Sequence, residues 1–181
     1  ALLRIDRDQV ADLIKRAPFK PSADQLQAID EIVSDLRSPY PMQRILSGDV
    51  STGKSFTFMI PAAASYLAGA RVAIIAPGQI LAQQLAAELS SLFYEIPVVT
   101  VVGPAGKAKI DLSSGIVVGT TAVISAASKE GIVFDLVIAD EQQRFSVAQR
   151  KKLIAPHTNF LESTATAIPR TVALVQLGGL P

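Results

Sequence analysis

Apolar positions recur along this chain at two spacings. From Arg4 to Ala17 charged and apolar residues mix. Val10, Leu13 and Ile14 share a helical face, which predicts a short surface helix ending near Pro18. Leu26, Ile29, Ile32, Val33 and Leu36 then recur at helical spacing behind Ser22, which stands at the N-cap position. Ser38-Pro39-Tyr40-Pro41 breaks that helix ahead of the apolar pair Ile45-Leu46. A helix is expected from Lys54 to about Leu67, stopping at Gly69, with Pro61 either kinking it or relocating its start. Arg71-Val-Ala-Ile-Ile-Ala76, bounded by Pro77-Gly78, reads as a buried strand. Ile80, Leu81, Leu85, Leu89 and Leu92 mark an amphipathic helix. Further strands are expected at Val98 to Val102, Ile116 to Val118, Phe134 to Ala139 and Thr158 to Leu161, with Gly103 to Lys107 as a loop.

Strands alternating with helices predict an α/β fold, a doubly wound parallel sheet with helices on both faces. Between Phe56 and Gly106 the charged residues are Arg71, Glu88 and Glu95, which suits elements packed on two sides. No internal repeat or low-complexity linker divides the chain. The organisation expected is one domain over 19–181, preceded by a helix or linker over 1–18.

Composition narrows the class. The chain has 181 residues, 49% hydrophobic and 18% charged, the profile of a buried core rather than of disorder. A net charge of +1 leaves any nucleic-acid contact to a local patch. Without cysteine there are no disulfides and no cysteine-bound zinc, which fits a reducing, cytoplasmic setting. No apolar run is long enough for a membrane helix, and the N-terminus carries no signal-peptide pattern and no initiator methionine, as expected of a fragment or a processed form.

The most specific string is Gly48-Asp49-Val50-Ser51-Thr52-Gly53-Lys54-Ser55, between the Ile45-Leu46 strand and the helix that opens at Lys54. Its spacing, G-x-x-x-x-G-K-[ST], is that of the phosphate-binding loop of P-loop NTPases. Gly48 and Gly53 let the backbone turn tightly and aim N–H groups at one anion, and the helix N-terminus adds its positive dipole end. Lys54 is expected to reach the β- and γ-phosphates, and Ser55 to ligate Mg²⁺. In a parallel sheet ligands gather at the carboxyl ends of the strands. There the Phe134–Ala139 strand runs into Asp140-Glu141. Read alone, that pair is an exposed acidic turn. Downstream of a phosphate loop and after an apolar strand, Asp140 is expected to hold Mg²⁺ through water, and Glu141 to orient and deprotonate the attacking water.

The string Asp140-Glu-Gln-Gln-Arg-Phe-Ser-Val-Ala-Gln-Arg150 resembles D-E-Q-H-R-F-G-V-x-Q-R, a signature of RecG-type branch-migration DNA helicases in helicase superfamily 2. Four other stretches agree, in family order. Pro39 to Val50 resembles S-P-x-P-M-x-R-L-L-Q-G-D-V, and Ala76 to Gln83 resembles A-P-T-E-I-L-A-E. Ile116 to Ala122 resembles I-V-I-G-T-H-A, and Thr164 to Thr171 resembles T-A-T-P-I-P-R-T. The related transcription-coupled repair translocase carries D-E-E-H, so Gln142 favours the RecG side. The resemblance covers about Phe19 to the C-terminus. It implies the first RecA-like motor lobe of an ATP-dependent helicase that remodels branched DNA in recombination and repair, with ATP and Mg²⁺ as cofactors.

By the same resemblance Gln25 hydrogen-bonds the adenine edge, although the residues alone also allow a solvent-facing side chain in the first turn behind Ser22. Phe19 packs on the base or staples the helix. Ser51, Thr52 and Phe56 complete the ATP-binding set with Gly48, Gly53, Lys54 and Ser55. Pro77, Gly78 and Gln79, together with Gly119, Thr120 and Thr121, fall at loops that contact the DNA sugar-phosphate backbone. Gln143, Arg144, Thr164 and Thr166 couple the nucleotide site to DNA engagement. Arg150, Lys151 and Lys152 read as a solvated helix face, and His157 as structural.

The chain also departs from the family pattern. Gln143 replaces a histidine and cannot titrate near neutral pH. Gly78 replaces a threonine, Ser51 and Ser146 replace glycines, and Ala167 replaces a proline. Superfamily 2 helicases hold ATP between two lobes, the second supplying an arginine finger. This chain is therefore expected to bind Mg-ATP weakly, to hydrolyse it poorly and to need a second RecA-like lobe. The alternatives are a stand-alone ATP- or DNA-binding module without helicase activity, and an unrelated P-loop kinase.

Overall fold

The structure, a computed structural model, describes residues 3–48, 53–103, 110–140 and 145–164. In chain order these residues form α1 (Arg7–Ile14), α2 (Ala23–Leu36), β1 (Gln43–Ser47), α3 (Lys54–Leu67), β2 (Val72–Ile75) and α4 (Gln79–Leu92). β3 (Val98–Val101), β4 (Ile116–Gly119), α5 (Ala122–Glu130), β5 (Leu136–Asp140), α6 (Val147–Leu153) and β6 (Asn159–Thr164) follow. The strands make one sheet in the order β1-β6-β5-β2-β4-β3, and every pair is parallel.

Strand alternation divides the core in two. Val72, Ile74, Ile116, Val118, Leu136, Ile138 and Leu161 face the layer made by α1 to α4. Ala73, Ile75, Val117, Val137, Ala139 and Phe160 face the other way, with residues of α5 and with Leu153 of α6. β2, β4 and β5 are buried along their whole length, which is why they read as unbroken apolar runs. The edge strands β1 and β3 are only partly buried.

α3 is the central helix and is buried nearly all round. It continues through Pro61, so Pro61 does not relocate its start. An interior proline costs about 3 kcal/mol in an isolated helix, and burial of the surrounding Phe58, Met59, Ile60, Ala62, Ala63 and Ala64 offsets it. α1 is shorter than the pattern suggests: Asp6 caps it, accepting from the Asp8 N–H at 2.9 Å. Leu3, Ile5, Val10 and Leu13 nonetheless join the same core as α3. Arg16 then ties the end of this segment to Glu95 through two 2.6 Å bonds, and its guanidinium holds the Glu95 carboxyl below the usual carboxylate range.

α5 is an element the apolar pattern left unassigned. Its signals are the small residues of Ala122–Glu130 and a stop at Gly131, where φ is +68°. α6 opens on a capping box in which Ser146 Oγ accepts from the Gln149 N–H and Gln149 Oε1 accepts from the Ser146 N–H. The serine that departs from the family glycine therefore has a structural task here.

One close approach limits the sheet. A Cβ on Gly119 would collide with the Val101 carbonyl of β3 and with Val123. Gly119→Ala is expected to destabilise the fold by about 1–3 kcal/mol through overpacking. Urea denaturation reads the loss, and an unchanged midpoint would show that β3 yields at no cost.

Candidate functional site

Three strand ends bring the phosphate loop and the acidic strand end together. In register, Ser47 of β1 lies beside Thr164 of β6, and Asp140 of β5 lies beside Ser163. The Gly48 N–H donates to the Thr164 carbonyl at 3.3 Å, so the start of the loop is fastened to β6. With adjacent strands about 4.8 Å apart, the ends of β1 and β5 stand about 10 Å apart across β6. Asp140, the last residue of β5 rather than the first after it, is 4% exposed. It alternates with Ala139 and so shares the α3 face with Leu136 and Ile138.

Lys54 opens α3 and is 9% exposed. Gly53, its N-cap, has φ +62° and ψ 23°, a left-handed conformation that disfavours side chains. As a glycine, Gly53 brings no side chain to cap this helix end. A Cβ on Gly53 would also collide with the Gln25 side-chain nitrogen and press on the Phe19 ring. Gln25 is held from the other end: its Oε1 accepts from the Ser22 N–H at 2.8 Å while Ser22 Oγ accepts from the Gln25 N–H at 3.1 Å. The capping box thus fixes the oxygen and turns the amide nitrogen toward the phosphate loop. Gln25 is half-buried there, not a freely solvated first-turn residue.

Phe19 stacks edge-on against Phe56 at 5.2 Å between centroids and stays 42% exposed. Phe56 itself is 1% exposed and its side chain belongs to the core, where it supports Phe19. Ser55 is half-buried, and its hydroxyl donates to Glu88 of α4 at 3.1 and 3.3 Å. Glu88 belongs to no sequence motif. Its signal was its rarity, one of three charges between Phe56 and Gly106.

The candidate DNA-contacting residues occupy the same rim at the neighbouring strands. Pro77, Gly78 and Gln79 follow β2, and Gly119, Thr120 and Thr121 follow β4, the strand hydrogen-bonded to it. Gly78 caps α4 with φ −155°, an extended conformation open to any residue, and a Cβ there meets nothing within 4 Å. The threonine it replaces would fit. Thr120 Oγ1 accepts from the Ala122 N–H at 3.3 Å, and the Thr121 side chain makes no capping bond to α5. On the opposite face of β6, Arg150 lies 4.8 Å over the Phe160 ring and 3.6 Å from Glu162. That side chain is engaged, whereas Lys151 and Lys152 are exposed. His157 approaches Asp135 at 3.6 Å, away from this rim. Ser51, Thr52, Glu141, Gln143, Arg144 and Thr166 lie outside the described residues.

Among the described residues no three His, Asp, Glu or Cys side chains cluster as a metal cage. The donors that the sequence assigns to a metal, the Ser55 hydroxyl and the Asp140 carboxylate, suit Mg²⁺, which keeps several waters and relies on substrate phosphates for the rest. No helix of the described residues is long and apolar enough to cross a membrane.

A six-stranded parallel sheet with a phosphate loop after β1 and an aspartate ending β5 defines a RecA-like P-loop nucleotide-binding lobe. The DEAD/DEAH box helicase family matches residues 22–175, and the chain belongs to it. It is 38% identical to the ATP-dependent DNA helicase RecG of Bacillus subtilis (strain 168) over 97% of its length, and 37% identical to that of Synechocystis over 96%. It spans 27% and 22% of those two proteins. Among solved structures, RecG bound to a three-way DNA junction superposes with a TM-score of 0.77 at 31% identity, over 98% of this chain and 25% of that one. The UvsW helicase from bacteriophage T4 shares the fold, with a TM-score of 0.65 at 20% identity over 96% of this chain and 64% of that one.

Proposed function

We propose that this chain is the first motor lobe of a RecG-like, ATP-dependent helicase or translocase that remodels branched DNA in recombination and repair, in the cytoplasm. The observation that carries the reading is the sheet order. It puts the end of β1 at Ser47 and Gly48 beside Thr164 of β6 and Asp140 of β5, with the ends of β2 and β4, which lead into the candidate DNA loops, on the strands that follow. Nucleotide and nucleic acid would then occupy adjacent stretches of one rim.

In this reading Gly48, Ser51, Thr52 and Gly53 wrap the phosphates with backbone N–H groups, Lys54 neutralises their charge, and Gln25 and Phe19 meet the base. Ser55 and Asp140 hold Mg²⁺, which supplies charge neutralisation on the phosphates. Glu141 takes the proton of the attacking water. Pro77, Gly78, Gln79, Gly119, Thr120 and Thr121 contact the DNA backbone, as motion independent of sequence requires. Gln143, Arg144, Thr164 and Thr166 link the two. The Gly48–Thr164 bond supports that link, because anything that shifts β6 shifts the start of the phosphate loop. A second RecA-like lobe closes the cleft.

The test is binding and turnover by the purified chain. It is expected to bind a fluorescent ATP analogue in the presence of Mg²⁺, with ATP turnover that is slow and unchanged by three-way junction DNA. Absence of nucleotide binding at millimolar concentration would overturn the site, and robust junction-stimulated turnover by this chain alone would overturn the need for a second lobe.

A further inference from the structure

Glu88 lies outside every motif of the site, yet it reaches the helix of the phosphate loop. The Ser55 hydroxyl donates to both of its carboxylate oxygens, at 3.1 and 3.3 Å, joining residues 33 apart in sequence. Glu88 is the one charged residue of α4, on a helix whose other residues are apolar, amide or hydroxyl. Glu95, the next carboxylate, is committed to Arg16 and to the fold. A single carboxylate on an exposed helix face needs no partner, and solvation satisfies it. This one is spent on the hydroxyl that stands at the metal-ligating position.

We propose that Glu88 is a positioning residue for Ser55, orienting its hydroxyl as a ligand for the divalent cation that accompanies the nucleotide. The inference rests on the nucleotide-site reading above. A hydroxyl has one hydrogen and two lone pairs. A cation binds through a lone pair and repels the hydrogen, so a metal-binding serine must hand its hydrogen to an acceptor pointing elsewhere. A carboxylate is the strongest acceptor a side chain offers, and it also raises electron density on the serine oxygen. Mg²⁺ takes few protein ligands and tolerates little angular error, so the direction of one hydroxyl matters. Without Glu88 the Ser55 side chain samples its other rotamers, and in some of them the hydrogen faces the cation.

The experiment follows the Mg²⁺ dependence of fluorescent ATP-analogue binding to this chain and to four variants: Glu88→Ala, Glu88→Gln, Ser55→Ala, and the Ser55→Ala, Glu88→Ala double. Glu88→Ala is expected to raise the half-saturating Mg²⁺ concentration about 10-fold, while affinity measured in EDTA stays as in the wild type. Glu88→Gln, whose amide oxygen still accepts the hydrogen, is expected to stay within about 3-fold of wild type. In the Ser55→Ala background the Glu88→Ala change adds nothing, because the group it orients is gone. Melting temperatures without nucleotide check that the variants fold. Four results would overturn the proposal: an unchanged Mg²⁺ requirement in Glu88→Ala, a lowered one, an equal loss in Glu88→Gln, or a full Glu88→Ala effect without the Ser55 hydroxyl. A lowered requirement would mean that the carboxylate sequesters the hydroxyl. Failure of the wild type to bind nucleotide at all would remove the underlying site, and this inference with it.

Discussion

Lys54→Ala is expected to weaken Mg-nucleotide binding by about 100-fold, since a hydrogen bond to a charged group contributes about 1.5–3 kcal/mol and every 1.4 kcal/mol is tenfold. Lys54 is the first residue of α3 and is 9% exposed, so its ammonium acts where water screens poorly. Its aliphatic stem is packed at the helix start, and its charge is the strongest positive feature of the loop. The N–H groups at the N-terminus of α3 remain in the variant and keep a weak affinity for anions. Titration with a fluorescent ATP analogue measures the loss, beside a melting curve without nucleotide to confirm folding. Affinity within threefold of the wild type would remove Lys54 from the site.

Glu141→Gln is expected to leave nucleotide affinity within about threefold of wild type and to slow hydrolysis by about 10²–10⁴-fold, the usual contribution of a positioned general base. The amide preserves shape and removes the proton acceptor. The experiment belongs in a protein that carries both lobes, with junction DNA present, so that the wild-type rate is high enough to lose. Single-turnover chemical quench separates the chemical step from product release, and normal single-turnover rates would clear Glu141 of the role. Gln143 bears on the pH profile of the same reaction. A glutamine does not titrate, so the acid limb of turnover should report the carboxylate alone, with no second ionisation near the ordinary histidine range.

The six strands were legible because central parallel strands must be apolar on both faces, and β2, β4 and β5 are buried end to end. α2 was equally plain: its stripe repeats over several turns and Ser22 announces its start. α5 escaped because its buried face is only Val123, Ile124, Ala126 and Ala127, two strong apolar positions and two alanines, too short a stripe to show a clear helical period. Pro61 allowed a relocated helix start, and α3 instead runs from Lys54 through Pro61 to Leu67, since a helix enclosed by core residues tolerates a proline that a solvated one would not. Strand ends moved by one to three residues, and one of those shifts matters. β6 runs on to Thr164, which puts that residue into a ladder with Ser47 and within reach of Gly48.

The candidate chemistry of this protein was legible in the sequence. A phosphate loop needs its glycines, lysine and serine at set spacing because one turn of backbone and one helix end do the binding. Asp140, the first of the acidic pair, announces itself by ending an apolar strand. Tertiary structure alone decided which distant groups meet at the candidate site. Capping geometry turned Gln25 toward Gly53, core packing buried the Phe56 ring behind Phe19, and the meeting of α3 with α4 gave Ser55 the carboxylate of Glu88. The physical reason is range. Spacing along the chain constrains groups within a turn or two, whereas contacts between residues tens of positions apart exist only once the sheet has been ordered and its helices laid across it.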